Sequence, residues 1–146
     1  MTGVQTCALP IYTQKAFLIL KEYLDEYAFS FHPRFFKELS DLLSKDLKGK
    51  EERFFKLLVT QLKNMQTFGV TVHTVDSNEI LHELDGHFYS IHLKQSQFNI
   101  RLLVHISDTG KCALLCAFNE RSGKKSTDYT HYIPVLQNRF NDMEVH

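Results

Sequence analysis

The chain has 146 residues, 43% of them hydrophobic, and its 17 Lys and Arg balance 17 Asp and Glu to a formal charge of zero. That length suits one domain with a core of its own, and no apolar run approaches the ~20 residues a membrane-spanning helix needs, so a soluble, cytoplasmic protein is expected. The neutral total weighs against a simple polycationic nucleic-acid binder, whose affinity rests on a basic excess.

Met1 to Ile11, MTGVQTCALPI, carry no charged side chain and read as a translated sequencing-library adapter, so residues 1–11 are set aside from the fold. A signal peptide would need a positive first region and a continuous apolar core, and neither is there. Tyr12 to Glu26 puts Phe17, Ile19, Leu20 and Leu24 at helical spacing. Residues 12–26 are a short leading helix or, alternatively, upstream sequence joined by the same adapter, ahead of one domain over 27–146.

His32-Pro33 then opens a helix, with Pro suited to its first turn, and Phe35, Phe36, Leu39, Leu42 and Leu43 form an apolar stripe. Lys48-Gly49-Lys50 interrupts it. A second helix runs from about Glu51, burying Phe54, Phe55, Leu58, Leu62 and Met65 and stopping at Gly69. The two make a helical hairpin, in which Phe35-Phe36 and Phe54-Phe55 pack between the helices and against a sheet; a groove for a partner is the alternative. Val70 and Val72 alternate before Asp76-Ser77-Asn78, a turn or cap cluster. His73, His82 and His87 follow no spacing that converges metal ligands, so they read as surface histidines and no metal is expected.

From Phe88 to His131 three strand-length apolar segments are separated by polar turns. Alternation sets Ser90, His92 and Lys94 on one face of the first strand and Tyr89, Ile91 and Leu93 on the other. In the next strand Ile100, Leu102, Val104 and Ile106 alternate against Asn99, Arg101, Leu103 and His105. A hairpin turning at Ser96-Gln97 brings His92 opposite Arg101. A guanidinium beside an imidazole lowers its pKa, and a neutral imidazole is what a general base requires. The same residues would equally serve as the solvated face of a half-exposed sheet.

Cys112 and Cys116 stand four apart, on one face of the third strand, and read as buried reduced thiols. Basic residues gather late: Arg101, Lys111, Arg121, Lys124, Lys125 and Arg139 against Asp108, Glu120 and Asp128. Lys124 and Lys125, after the Ser122-Gly123 turn, suit phosphates held by charge alone, or an ordinary solvated loop. A closing helix begins near Tyr132 or Pro134, with Val135, Phe140 and Met143 inward.

This succession is similar to the RelE/ParE superfamily of type II toxins, including its HigB and phage Gp49-like branches, over about Tyr27 to Met143. The resemblance is carried by LHELDGHFYSIHL with its Gly86 and Tyr89, by Ile-Arg-Leu-Leu at Ile100, and by the basic segment after Phe118. It implies an α+β fold in which an N-terminal strand, starting within Tyr27 to Phe31, and a helical hairpin pack on a small antiparallel sheet with a C-terminal helix. It also implies ribosome-dependent cleavage of messenger RNA without metal or other cofactor, and a cognate antitoxin as partner. By position His92, Arg101, Arg121 and Tyr129 take the catalytic places, with Tyr132 the substitute for Tyr129. Lys94, Lys124, Lys125 and His131 take substrate-binding ones. A ParE-like gyrase inhibitor, or a catalytically inactive antitoxin-binding module, is the alternative on the same scaffold.

Overall fold

The computed structural model describes residues 11–82, 84, 86–120 and 129–144, with the backbone alone at 12 and 144. Helix α1 (Ile11–Glu26) leads into a two-residue strand β1 (Ser30–Phe31), followed by helices α2 (Pro33–Ser44) and α3 (Glu51–Phe68) and a 3-10 turn (Gly69–Thr74). Strands β2 (Glu79–Ile80), β3 (Phe88–Gln95), β4 (Phe98–Ile106) and β5 (Cys112–Asn119) come next. A short 3-10 turn (Thr130–Tyr132) and helix α4 (Ile133–Glu144) follow. The fold is mixed α+β: one five-stranded sheet in the order β1-β5-β4-β3-β2, in which β1 runs parallel to β5 and the other neighbours are antiparallel.

Strand alternation decides the two faces. Tyr89, Ile91, Leu93, Ile100, Leu102, Val104 and Ile106 are fully buried against α1, α2 and α3, as their period-two spacing predicts. Removing each large apolar side chain from water stabilises the fold by roughly 1.5–3 kcal/mol. The stripes of α2 (Phe35, Leu39, Leu43) and α3 (Phe54, Leu58, Leu62, Met65) face the same core. Phe35, Phe36, Phe54 and Phe55 do pack within it, although Phe36 meets Phe17 and Phe31 rather than α3, and Phe54 meets Phe98 of the sheet. In α1 the buried stripe is Thr13, Leu20 and Leu24 with Phe17 beside it, whereas Ile19, expected inside, is 64% exposed. Spacings of four, three and four residues hold one side of a helix, and Ile19 falls off that line.

Helix α1 ends in a reversal that shortens the strand expected from Tyr27. Ala28 takes φ 60°, Phe29 N donates to Leu24 O and Ala28 N to Asp25 O, a Schellman closure that turns the chain before Ser30. The Val70–Val72 alternation likewise builds no strand. Gly69 at φ 52° ends α3, and the chain winds into the 3-10 turn with Val72 buried.

The second face was expected to be polar and was open to a solvated reading; that reading fails here. Leu103, Phe88, Leu115, Cys116 and Tyr129 are buried on it beneath Leu136 of α4, and Phe140 stacks on His105 with ring centroids 4.0 Å apart. Leu136, not Val135, is the fully covered residue of that helix, with Phe140 and Met143 beside it as expected. The cysteines also depart from expectation. Leu103 pairs with Cys116 and Val104 with Leu114, so Leu115 is an extra residue and a bulge flips the strand's alternation. Cys112 therefore faces the α1–α3 core and Cys116 the α4 side. Both are buried free thiols, and burial pushes each up to about 12, which keeps them protonated and unreactive.

Candidate functional site

Turn chemistry and register place His92. With the hairpin closing between Gln95 and Phe98, His92 lies directly opposite Arg101 and Ser90 opposite Leu103, as the sequence predicts. The edge beside His92 lies just ahead of β2, which pairs Glu79 with Ser90 and Ile80 with Tyr89. There Asn78 continues the ladder with its side chain: Oδ1 accepts from His92 N at 2.9 Å, while Nδ2 donates to Gln61 Oε1 at 3.0 Å. Gln61 in turn donates to Asp76, whose φ of 52° reverses the chain into β2. The Asp76-Ser77-Asn78 cluster is thus a turn, and its function is to hold the β3 edge.

Around His92 further polar side chains converge. Arg101 donates from Nη1 to the Tyr129 hydroxyl at 2.8 Å and from Nε to Asn99 Oδ1 at 3.2 Å. The Tyr129 hydroxyl lies 3.0 Å from Glu79 Oε2 and 2.8 Å from Ser90 Oγ. A phenol has one proton, and the charged carboxylate is the stronger acceptor, so Tyr129 donates to Glu79 and accepts from Ser90 and Arg101. Glu79 Oε2 is also 3.0 Å from His92 Nε2 and 3.7 Å from Arg101 Nη1. On the ring's other side Nδ1 sits 3.2 Å from Ser77 Oγ. His92 Nε2 is buried and makes no well-aligned hydrogen bond, despite its nearness to Glu79.

Burial sets the electrostatics. The His92 and Arg101 side chains are 8% and 11% exposed, and Glu79 is 45% exposed. His92 is pushed down to about 4, first by burial, next by the Arg101 charge, with Glu79 opposing and Lys94 adding a smaller depression. The Arg101 effect expected from the register is present, but burial is the larger cause. Tyr129 is raised, chiefly by burial, so its hydroxyl stays protonated near neutral pH and acts as a donor.

A pH dependence follows. Between about 4 and the ordinary 6.5 the unfolded chain takes a proton on His92 that the folded chain refuses. Stability is therefore fullest above about pH 6.5 and falls as pH drops toward 4, by an amount on the order of 3 kcal/mol. Urea unfolding at about pH 7 and about pH 5 should show a loss in the native chain that a His92→Gln chain lacks. Equal losses in both would contradict the depressed imidazole.

The other sequence candidates separate. Lys94 stands on the same face as His92, paired with Asn99, and is exposed. Tyr129, rather than Tyr132, joins Arg101; the Tyr132 ring stacks on Phe118 at 4.4 Å and its hydroxyl is pushed up to about 12 by burial. His131 is exposed, its ring 4.3 Å from that of Tyr132. Arg121, Lys124 and Lys125 lie outside the described residues. Among the described residues no group of His, Cys, Asp or Glu is arranged to hold a metal. His73 and His87 instead each stack near the Tyr89 ring, with centroids 6.1 and 6.5 Å away.

Glu79 is the member that sequence reasoning missed, with the ladder-continuing role of Asn78. Ser90 and Asn99 were legible from the alternation of their strands. Glu79 sits on a two-residue strand with no period to read, and only pairing with Ser90 brings it in. No helix among the described residues is long and apolar enough to cross a membrane. No protein-family model matches this chain, and no curated protein or solved structure matches it either.

Proposed function

We propose that this chain is the toxin of a type II toxin–antitoxin pair, built on a RelE-like scaffold, that cleaves messenger RNA on the ribosome in the cytoplasm without a metal ion. The observation that supports this reading is the pairing of a neutral, deeply set imidazole with a guanidinium on adjacent strands: His92 opposite Arg101, with the Tyr129 hydroxyl 2.8 Å from Arg101 Nη1. His92 takes the proton of a ribose 2'-hydroxyl, whose oxygen attacks the adjacent phosphorus. The 5'-oxygen leaves with a proton from Lys94, Lys124 or His131, and a 2',3'-cyclic phosphate remains. Arg101 and Arg121 stabilise the charge that develops on the phosphorane, where fixed donors contribute most. Tyr129, held protonated, is a donor to the same phosphate rather than the base.

A second reading has an observation of its own. Arg101 and His92 are about nine-tenths covered, behind Tyr129 and the Glu79 carboxylate, which suits a module that binds its antitoxin and does no chemistry. Primer extension on a messenger translated in a purified system separates the two. Cuts that need both translation and the full chain support the nuclease. A folded chain that makes no cuts, yet blocks growth and inhibits DNA supercoiling, is a gyrase inhibitor instead; one with neither effect is the binding module.

A further inference from the structure

One carboxylate oxygen occupies the centre of the site. Glu79 Oε2 lies 3.0 Å from the Tyr129 hydroxyl, 3.0 Å from His92 Nε2 and 3.7 Å from Arg101 Nη1, so a phenol, an imidazole and a guanidinium all point at a single anionic atom. The fit to the carboxylate is nevertheless poor. Elsewhere in the same molecule Arg139 grips Glu38 through two bonds of 2.9 and 2.7 Å, the fork geometry that a carboxylate and a guanidinium favour. Arg101 makes no such grip on Glu79, and His92 Nε2, buried, is left without an aligned bond although Glu79 is next to it.

Position adds a second observation. Glu79 is the member of the group that reaches solvent, at 45% exposure against 11% for Arg101 and 8% for His92. It stands on the outermost strand of the sheet, which pairs over two residues only. Short edge elements open at low free-energy cost, and swinging this side chain outward uncovers the path it fills. Its departure would leave the Arg101 charge buried without its counter-ion, a state that any arriving anion relieves.

We propose that His92, Arg101, Tyr129 and Ser90 form an oxoanion site, specific for a phosphate group, and that Glu79 is a resident stand-in for one phosphate oxygen that must be displaced before the site is occupied. A tetrahedral phosphate offers several oxygens at different angles, which donors converging from two strands and the Thr130 turn accommodate better than a flat carboxylate does. Arg101 and Tyr129 take the anion. His92 Nε2, no longer faced by a carboxylate, is free to meet a hydroxyl next to the phosphorus. For an RNA phosphodiester as owner of that phosphate the proposal rests on the nuclease reading above. The anion site and its latch do not.

The test is calorimetric titration of the full chain with inorganic phosphate and with an uncleavable 2'-deoxy dinucleotide, for the native protein, Glu79→Gln, and Glu79→Gln combined with Arg101→Ala. Glu79→Gln should bind inorganic phosphate at least about tenfold more tightly than the native chain, and the added Arg101→Ala should abolish the gain. Unchanged affinity, or a gain that survives Arg101→Ala, overturns the proposal. A dinucleotide bound more tightly than inorganic phosphate identifies a diester as the ligand, and equal binding identifies free phosphate. Tightened phosphate binding with no messenger cleavage by any form keeps the latch and discards the nuclease. Messenger cleavage with no change in phosphate affinity does the reverse. Should Glu79→Gln not fold, Glu79→Asp draws the oxygen back by one methylene and is read the same way. If neither folds, Glu79 is a structural tie and the proposal fails.

Discussion

On the nuclease reading proposed above, replacing Arg101 with alanine is expected to lower translation-dependent messenger cleavage by roughly 100- to 1000-fold, the usual effect of deleting one preorganised donor to a developing oxyanion. The competing explanation for such a loss is unfolding, and magnitudes distinguish them. Arg101 is buried, with bonds to Tyr129 and Asn99, and stripping a buried ion pair of one partner can cost about 3–5 kcal/mol. Its counter-ion Glu79, however, is 45% exposed and can be hydrated once released, which places the stability loss nearer about 1–2 kcal/mol. The chain should therefore remain folded while its activity collapses. Arg101→Lys sharpens the test, because it keeps the charge but loses the planar fork. Recovery of most of the stability with little of the activity is expected, as read by thermal unfolding alongside primer extension. A lysine variant that cleaves normally would show that only charge is needed. Arg121→Ala should also abolish cleavage with the fold intact; normal cleavage by that variant would remove Arg121 from the mechanism.

The second large effect concerns the clasp that fastens α4 across the sheet. Glu38 on α2 receives both arms of Arg139, and each partner also satisfies the backbone of β5: Arg139 Nη1 donates to Leu115 O at 2.7 Å, and Ala117 N donates to Glu38 Oε1 at 3.1 Å. Strand β1 pairs only with Ala113 and Leu114, so beyond them β5 is an open edge. The ion pair closes that edge as a neighbouring strand would. His32 adds a second fastening, its Nδ1 capping α2 through Arg34 N and its Nε2 lying 3.1 Å from Asp142. Glu38→Ala is expected to cost roughly 2–4 kcal/mol, because it strands the Arg139 charge at 11% exposure and leaves Ala117 N without its acceptor. Arg139→Ala should cost a similar amount. The double variant should lose far less than the sum, and urea unfolding of the four chains measures that coupling. Additive losses would mean the two residues act independently and the clasp is incidental.

Because α4 packs in the same apolar cluster as Tyr129, weakening the clasp should reach the site through that residue. Leu136 and Phe140 pack on the same side of the sheet as Tyr129, in one apolar cluster with Leu103 and Phe88. Loosening α4 should therefore disturb the packing of Tyr129, whose hydroxyl bonds Arg101.

The two helical stripes, the three long strands, the hairpin at Ser96-Gln97 and the meeting of His92 with Arg101 were all legible in the sequence. Each rests on a local period, two residues in a strand and 3.6 in a helix, or on a turn that fixes register over a few positions. Short-range patterns could not supply the rest. The bulge at Leu115 that sends Cys112 and Cys116 to opposite faces depends on how β4 and β5 pair. The edge position of Glu79 depends on β2 meeting β3. Arg139, read only as one of the late basic residues, is committed to Glu38, 101 residues away in sequence, by the docking of their two helices. The sequence by itself determined which side chains of β3 and β4 share a face; only tertiary packing decided that this face is buried, that Tyr129 rather than Tyr132 reaches Arg101, and that a carboxylate stands among them. Alternation is a property of a few bonded neighbours, whereas burial and charge pairing depend on what the rest of the chain lays on top.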